Sequence, residues 1–290
     1  MSQDRLDESL NIDQLPARDI VRIIQEQDAL VPAAVAAEAD RIARAIDLIA
    51  ERIAHGGRLV YVGAGTSGRI AMLDAAELPP TFGVDPSLVS VMLAGGSTAF
   101  LNAVEGAEDD EEAGIAEINQ RVSGEDAVIG IAASGTTPYT VAAIRRANML
   151  GALTIAVTSV VGSPLAAEAD IAITPQTGPE VIMGSSRMKS GSAQKLVLNA
   201  ISTGVMIRLG KVYSNLMTEM PSTNEKLRAR AVRMVELVAN VPRTIAAQAV
   251  RDAGGEVKLA SVIARRKIGA EEARGLLARH QGNLRKALES

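Results

Sequence analysis

The sequence has no cysteine and no tryptophan, and its aromatic residues come to 2%. Without thiols there is no disulfide, no thiolate metal ligand and no cysteine nucleophile. So few rings argue against a surface of stacked aromatics, which binders of single-stranded nucleic acid need. Histidine is scarce as well, with only His55 and His280. His55 closes a helical stretch beside Gly56-Gly57, where a cation suits the helix dipole. Neither histidine falls in a cluster with metal-ligand spacing, so both read as structural and no metal site is expected. Positive charge is not in excess. The formal net charge is −4, which argues against a nucleic-acid partner and leaves any phosphate to be held by a local arrangement. No apolar run has the length of a membrane span, and the opening MSQDRLDESLNIDQL is polar and acidic, unlike a signal peptide. A cytoplasmic protein with no membrane partner is the expectation.

What is present is an aliphatic core-forming chain of 290 residues, 47% hydrophobic and 22% charged. That suits one large α/β domain with appendages, or two modest domains. Residues 17–28 read as a short helix. Pro32 then suits a first helical turn, and an Ala-rich helical segment continues to about Ala54. In it Val35, Ala39, Ile42, Ile46, Ile49 and Ile53 recur at steps of four and three, and Gly56-Gly57 stops it. From there short apolar runs alternate with helical patterns. Strands are expected at Arg58–Val62, Leu88–Leu93, Ala127–Ala132, Leu153–Val157 and Asp170–Thr174. Helices are expected at Ser67–Glu77, from Ala99, at Pro138–Leu150 and at Lys189–Leu209. Continuous apolar strands imply a parallel sheet buried on both faces. Residues 210–223 are less regular. Asn224–Val238 reads as a helix, and two or three small helices with a basic surface (Lys258, Arg265, Arg266, Lys267) follow. The organisation is thus an N-terminal helical arm over 1–54, an α/β domain over 55–218 and a small helical C-terminal unit over 219–290.

Three segments carry chemistry. The first is GAGTSGR, Gly63 to Arg69, between a strand and a helix. Its glycines let the backbone approach a ligand, and Ser67 is placed to cap the next helix, where amides and dipole favour an anion. The same residues fit a dinucleotide loop, but the strand that follows ends Met92-Leu93-Ala94-Gly95-Gly96, without the acid that such a loop requires. A purely structural turn is the other alternative. The second segment is AASGTTPYT, Ala132 to Thr140. It offers Ser134, Thr136 and Thr137 around Gly135, ahead of a helix that Pro138 can start, and such a hydroxyl-rich loop can hold phosphate without a basic side chain. Two loops of this kind at the carboxyl ends of parallel strands lie where open α/β sheets bind ligands. The third is GPEVIMGSSRMKSGSAQKLVLN, Gly178 to Asn199. There Glu180, Ser185, Ser186, Arg187 and Lys189 precede a long apolar helix. The two cations, Arg187 and Lys189, either neutralise an anionic ligand or a carboxylate or form interface or intramolecular ion pairs.

Paired Ser/Thr-rich loops after strands resemble the sugar isomerase (SIS) domain. The third segment is similar to the signature shared by the N-acetylmuramic acid 6-phosphate etherase family and the glucokinase regulatory proteins. DAAELPPTFGV, AVEGAEDDEEAG and STNEKL also look like the etherases, so the resemblance spans the chain. It implies an α/β three-layer sandwich around a parallel sheet. It further implies a phosphorylated amino sugar held by Gly65, Thr66, Ser67, Ser134, Gly135, Thr136, Thr137, Glu180, Ser185, Ser186, Arg187 and Lys189, and a homodimer. Thr136 stands where some relatives carry Arg.

The resemblance also turns attention to two glutamates. By itself Glu77 is a helix-closing residue before the terminator Leu78-Pro79-Pro80, and Glu108 belongs to a run of acids of the sort that solvates a helix start. The family's two catalytic glutamates fall in the motifs matched at Glu77 and Glu108. The implied reaction cleaves a lactyl ether through the ring-opened sugar, and needs one acid and one base but no cofactor. Burial among apolar groups or a neighbouring carboxylate would fit a glutamate to be the acid. On its own Glu77 is either a surface residue or a buried structural carboxylate. Its apolar surroundings suit the acid role, with Glu108 as the base, or the reverse. An aldose–ketose isomerase of the same fold and a non-catalytic sugar-phosphate sensor are the competing readings. Release of lactate separates the first, and a tight-binding but inactive protein would mark the second.

Overall fold

A computed structural model of the chain describes residues 4–219 and 225–290. By contact density they fall into two compact units, Met1–Ala75 with Ser87–Gly204, and Ala76–Pro86 with Val205–Ser290.

The first unit opens with three helices, α1 (Ala17–Asp28), α2 (Val31–Ala36) and α3 (Ala39–Ala54). The expected single helix up to Ala54 is therefore broken at Ala37 and Glu38. The break has a cause in Glu38, which is 7% exposed. Its Oε2 accepts from the Thr174 amide at 3.1 Å and from Arg41 Nη1 at 2.9 Å. A buried carboxylate needs such donors, and the turn aims it at them. The next elements are β1 (Leu59–Gly63), α4 (Gly65–Phe82), β2 (Val89–Leu93), α5 (Thr98–Leu101), α6 (Glu111–Arg121), β3 (Ala127–Ile131), α7 (Pro138–Met149), β4 (Leu153–Val157), α8 (Pro164–Glu168), β5 (Ile171–Ile173) and α9 (Lys189–Arg208). The strands form one parallel sheet in the order β2-β1-β3-β4-β5.

The strand side chains alternate between two helical layers, as the period of two requires. Val60, Val62, Val128 and Ala156 pack with Ile118 of α6, Ile144 and Ala147 of α7 and Leu165 of α8. Tyr61 points the other way, where its hydroxyl meets Asp74 of α4, and α3 lies against β4 and β5. This is the expected parallel-sheet α/β sandwich with N-terminal helices. Helix α5 is short, and the chain after it is irregular up to Glu111 apart from a single 3-10 turn at Ala107–Asp109. Asp110 then caps α6 by accepting from the Ala113 amide at 2.9 Å.

Helix α4 departs from expectation at both ends. It starts at Gly65, which puts Ser67 inside the first turn rather than at the cap. It also runs past Glu77 and through Pro79 and Pro80 to Phe82. The prolines have no N–H to give to the carbonyls of Ala75 and Ala76, yet the helix continues because Ala71, Asp74, Leu78 and Phe82, spaced by three and four residues, are all buried. Burial of that stripe outweighs two missing backbone bonds.

In the second unit a hairpin of β6 (Val212–Tyr213) and β7 (Leu216–Met217) precedes α10 (Glu225–Ala239), α11 (Arg243–Asp252), α12 (Val257–Arg266), α13 (Ala270–Arg279) and α14 (Leu284–Glu289). Four helices thus follow α10 where two or three were expected. Each is ten residues or shorter, too short for a clear periodic signal. They share a core that includes Val235, Leu259, Val262, Leu276 and Leu284. Lys258 does not join a basic surface. Its ammonium turns inward, donates to the Gly282 carbonyl at 2.7 Å and pairs with Glu219. Asn224, the expected start of α10, lies outside the described residues, as do Ser222 and Thr223 of STNEKL. Among the described residues no helix is long and apolar enough to cross a membrane.

Candidate active site

The strand order places β1 at the point where the chain reverses direction across the sheet, with β2 on one side and β3 on the other. In open α/β sheets ligands bind at the carboxyl ends of the strands flanking such a point. The first two sequence-predicted loops emerge there, since Gly63 and Ile131, the last residues of β1 and β3, are paired in register. Gly68 lets α4 start against the sheet, because a side chain there would meet the Gly63 carbonyl at 2.8 Å and the Leu93 side chain. Thr66 is half-buried and Ser67 buried. Gly191, in the first turn of α9, leaves room beside them: a Cβ on it would stand 3.5 Å from Ile70 Cδ1 and 3.7 Å from the Thr66 methyl. The GAGTSGR loop thus adjoins the start of α9.

The loop after β3 is fixed from below. Gly135 has φ +67°, and a Cβ there would stand 2.5 Å from that of Ser163. The Ser159 amide donates to the Ala133 carbonyl at 3.0 Å and the Thr158 hydroxyl to the same carbonyl at 3.2 Å. Ser134 Oγ and Thr136 Oγ1 are 2.9 Å apart, and the Thr136 amide donates to Ser134 Oγ at 3.2 Å. Ser134 and Thr137 are half-buried and Thr136 exposed, so the hydroxyls of this loop stand at the surface of a rigid seat.

In the third segment Glu180 is spent on the helix it precedes. Its two carboxylate oxygens accept from the Lys189 and Ser190 amides at 3.0 and 2.9 Å, which caps the positive end of α9. Lys189 is 1% exposed, and its ammonium donates to Gln27 Oε1 of α1 at 2.7 Å. Burial pushes its pKa down, against the charges of Glu180, Asp28 and Glu8. Arg187 is exposed, while Ser185 and Ser186 are half-buried.

Beside the first loop lies a pocket of about 320 Å³. Gly65, Arg69, Glu105 and Glu108 line it together with small apolar residues. The structure therefore brings Glu108 to the edge of the sheet where the GAGTSGR loop stands. Glu77 is counted with the second unit. It lies off the buried stripe of α4 and is exposed, so the apolar burial that would suit it to the acid role is not found in the single chain. Among the described residues no group of His, Cys, Asp or Glu is arranged to hold a metal ion.

Two family models match the chain: the glucokinase regulatory protein N-terminal SIS domain over residues 41–148 and the SIS domain over residues 103–203. A phosphoheptose isomerase from Francisella tularensis shares the fold, with a TM-score of 0.55 at 20% identity over 67% of this chain and 100% of that one. Whole-chain relatives are more telling. The N-acetylmuramic acid 6-phosphate etherase of Symbiobacterium thermophilum is 59% identical over 262 residues, covering 90% of this chain and 87% of its own. The chain belongs to the N-acetylmuramic acid 6-phosphate etherase family. Members from Caldanaerobacter subterraneus and Salmonella typhimurium are each 48% identical over 290 residues, which is 100% of this chain and 95% and 98% of theirs.

Against that family, sequence reasoning passed over two features. One is the buried carboxylate of Asp74 in the DAAELPP segment. It accepts from the Tyr61 hydroxyl at 2.8 Å, Asn199 Nδ2 at 2.6 Å and the Ser202 hydroxyl at 3.0 Å. Its signal was present, since Asp74 sits on the Ala71–Leu78–Phe82 stripe where a charge is out of place. The other is Arg69, the last residue of the GAGTSGR motif. Its Nε donates to the Phe100 carbonyl at 2.9 Å and its Nη2 to the Ala99 carbonyl at 2.8 Å. Partners thirty residues on leave no local trace.

Proposed function

We propose that this etherase-family chain cleaves the lactyl ether of N-acetylmuramic acid 6-phosphate with water, giving N-acetylglucosamine 6-phosphate and D-lactate. The observation that carries the reading is the similarity to etherases along the whole chain, 59% over 262 residues in one relative and 48% over all 290 in another.

The chemistry follows from the ring-opened sugar. Its aldehyde makes the proton on carbon 2 acidic. A carboxylate removes that proton, and the electron pair forms a double bond to carbon 3 as the lactyl oxygen leaves and takes a proton from the second carboxyl group. Water then adds at carbon 3, and carbon 2 takes a proton back. One base and one acid suffice. We assign the base to Glu108, which lines the pocket next to the first loop, and the acid to Glu77. A carboxylic acid keeps its proton near neutral pH when it is desolvated. Because Glu77 is exposed in the single chain, that desolvation has to come from what binds over it, substrate or second subunit. The hydroxyls and amides of Thr66, Ser67, Ser134, Gly135, Thr136 and Thr137, with Ser185 and Ser186, supply neutral donors for the sugar phosphate. Glu180 and Lys189 serve by holding the start of α9 in place, and Arg187 is an exposed cation available to the anionic substrate.

The same reading makes the protein a cytoplasmic homodimer. Exposed Leu10, Val21, Leu30, Leu73, Ile182 and Met183 support the pairing, since apolar side chains in such number on one unit suit a surface that a partner covers. Isotopes test the mechanism. In heavy water the product should carry deuterium on carbon 2, and in oxygen-18 water it should carry the label on its carbon 3 hydroxyl while the lactate stays unlabelled. Label in the lactate would point to direct displacement at the lactyl carbon and would overturn the elimination.

A further inference from the structure

Among the described residues, one cation lines the pocket beside the first loop. Arg69 reaches it from α4, anchored by the carbonyls of Phe100 and Ala99 and, at 3.4 Å, of Asn102. Carbonyl oxygens orient a guanidinium without neutralising it. No carboxylate among the described residues forms an ion pair with Arg69, and its Nη1 has no acceptor among them. The guanidinium plane is fixed by two of its nitrogens, and a third is left to donate. Around it the pocket is small and apolar, with Ala64, Ala94, Ala99, Ala103, Val104 and Ala107, and two acidic side chains, Glu105 and Glu108, complete the lining.

A ligand group that fits this lining is compact, carries a methyl-sized apolar part and ends in an anion. The anion must be one that Arg69 can hold close to two glutamates, so a charge-assisted, oriented bond is needed rather than a general positive field. Given the proposed reaction, on which this inference rests, the substrate has one such group: the lactyl arm, with its methyl and its carboxylate. We propose that Arg69 is the specificity residue for the lactyl carboxylate and that this pocket seats the lactyl arm. The arm leaves carbon 3, next to the carbon 2 proton assigned to Glu108, so one pocket serves both. The sugar product lacks the arm and gives Arg69 nothing to hold. The enzyme thereby distinguishes what it must cleave from what it must release, although both carry the same phosphate.

The test crosses two changes. Wild type and Arg69→Met are each assayed for ether cleavage on the natural acid and on an analogue whose lactyl carboxylate is converted to the amide. Arg69→Met should lose about 10- to 100-fold in kcat/KM on the acid, the range for a hydrogen bond to a charged group, and little on the amide. The inhibition constant of N-acetylglucosamine 6-phosphate should stay within about twofold of wild type, since on this account it makes no bond to Arg69. Arg69→Lys keeps the charge, and should recover part of the rate on the acid and none on the amide. Should Arg69→Met fold poorly, Arg69→Lys and the wild-type preference for acid over amide still decide. An equal loss on acid and amide would assign Arg69 a purely structural part, and unchanged rates would remove it from the site. Both results overturn the proposal while leaving the etherase reading intact. Wild type that releases no lactate from the acid would instead overturn that reading, and this inference with it.

Discussion

The Tyr61 hydroxyl in the middle of β1 donates to Asp74 Oδ2 on α4 at 2.8 Å. Both groups are buried, and Asn199 and Ser202 of α9 complete the shell of the carboxylate. Strand and both helices are thus joined through one side chain that is surrounded by neutral donors. Burial first, then the Asp74 charge and hydrogen bond, hold the Tyr61 phenol well above its usual pKa, so it stays a donor throughout the working pH range. Tyr61→Phe is expected to cost about 1.5–3 kcal/mol, the range for a hydrogen bond to a charged group. Asp74→Ala should cost more, because three donors lose their acceptor. In a double-mutant cycle by urea unfolding, Tyr61→Phe should add little once Asp74 is gone. Additive losses would show that the two do not act together.

A second carboxylate governs acid sensitivity. Asp126, at the start of β3, accepts from the Arg58 amide at 2.8 Å, Arg58 Nη2 at 2.9 Å and the Ser123 amide at 2.9 Å. Burial alone would raise its pKa. The hydrogen bonds from Arg58 and Ser123, with the Arg58 charge, outweigh that and hold it below the ordinary carboxylate value. A group whose folded pKa is depressed contributes stability that is present above the unfolded value, about 3.9, and is lost as pH falls through the folded one. Asp126→Asn should therefore be less stable than wild type at pH 6. The gap should narrow as pH falls below about 4, where the unfolded carboxylate begins to take up its proton, until the folded one, at lower pH, does so too. A gap independent of pH would show that the shape of the side chain, not its charge, matters.

The loop after β3 is sensitive at one residue. Gly135→Ala puts a Cβ in a left-handed backbone and against Ser163. It should cost about 2 kcal/mol or more through strain and overpacking, and weaken N-acetylglucosamine 6-phosphate binding in calorimetry. Thr136→Ala, an exposed change in the same loop, should weaken binding without loss of stability. Unchanged binding in both variants would remove this loop from the sugar-phosphate site.

The sheet was legible because its strands are buried on both faces and read as unbroken aliphatic runs. Leu153–Val157 matches to the residue, and the other strands differ by one residue at one end or at both. Helix ends were harder. Pro79-Pro80 looked like a terminator because the lost backbone bonds are visible in the sequence, whereas the buried stripe that carries α4 to Phe82 depends on what packs against it. The break at Glu38 has its reason 136 residues away, in the Thr174 amide. The loops around Thr66 and Ser134 were legible as candidate site loops from glycine and hydroxyl content. Arg69 was not, since the pocket it lines is formed with a distant segment. Lys189 and Glu180 looked alike as charged neighbours in the sequence, and only the fold shows both turned toward the protein.

Glu77 and Glu108 hold the central claim, and release of D-lactate tests it most directly. Purified protein is incubated with N-acetylmuramic acid 6-phosphate and a chelator, and lactate is followed for wild type, Glu77→Ala and Glu108→Ala. The account predicts release by wild type, and a loss of about 100-fold or more in each folded variant, in line with the usual worth of a general acid or base. Near-wild-type release by either folded variant, or none by wild type, would contradict it.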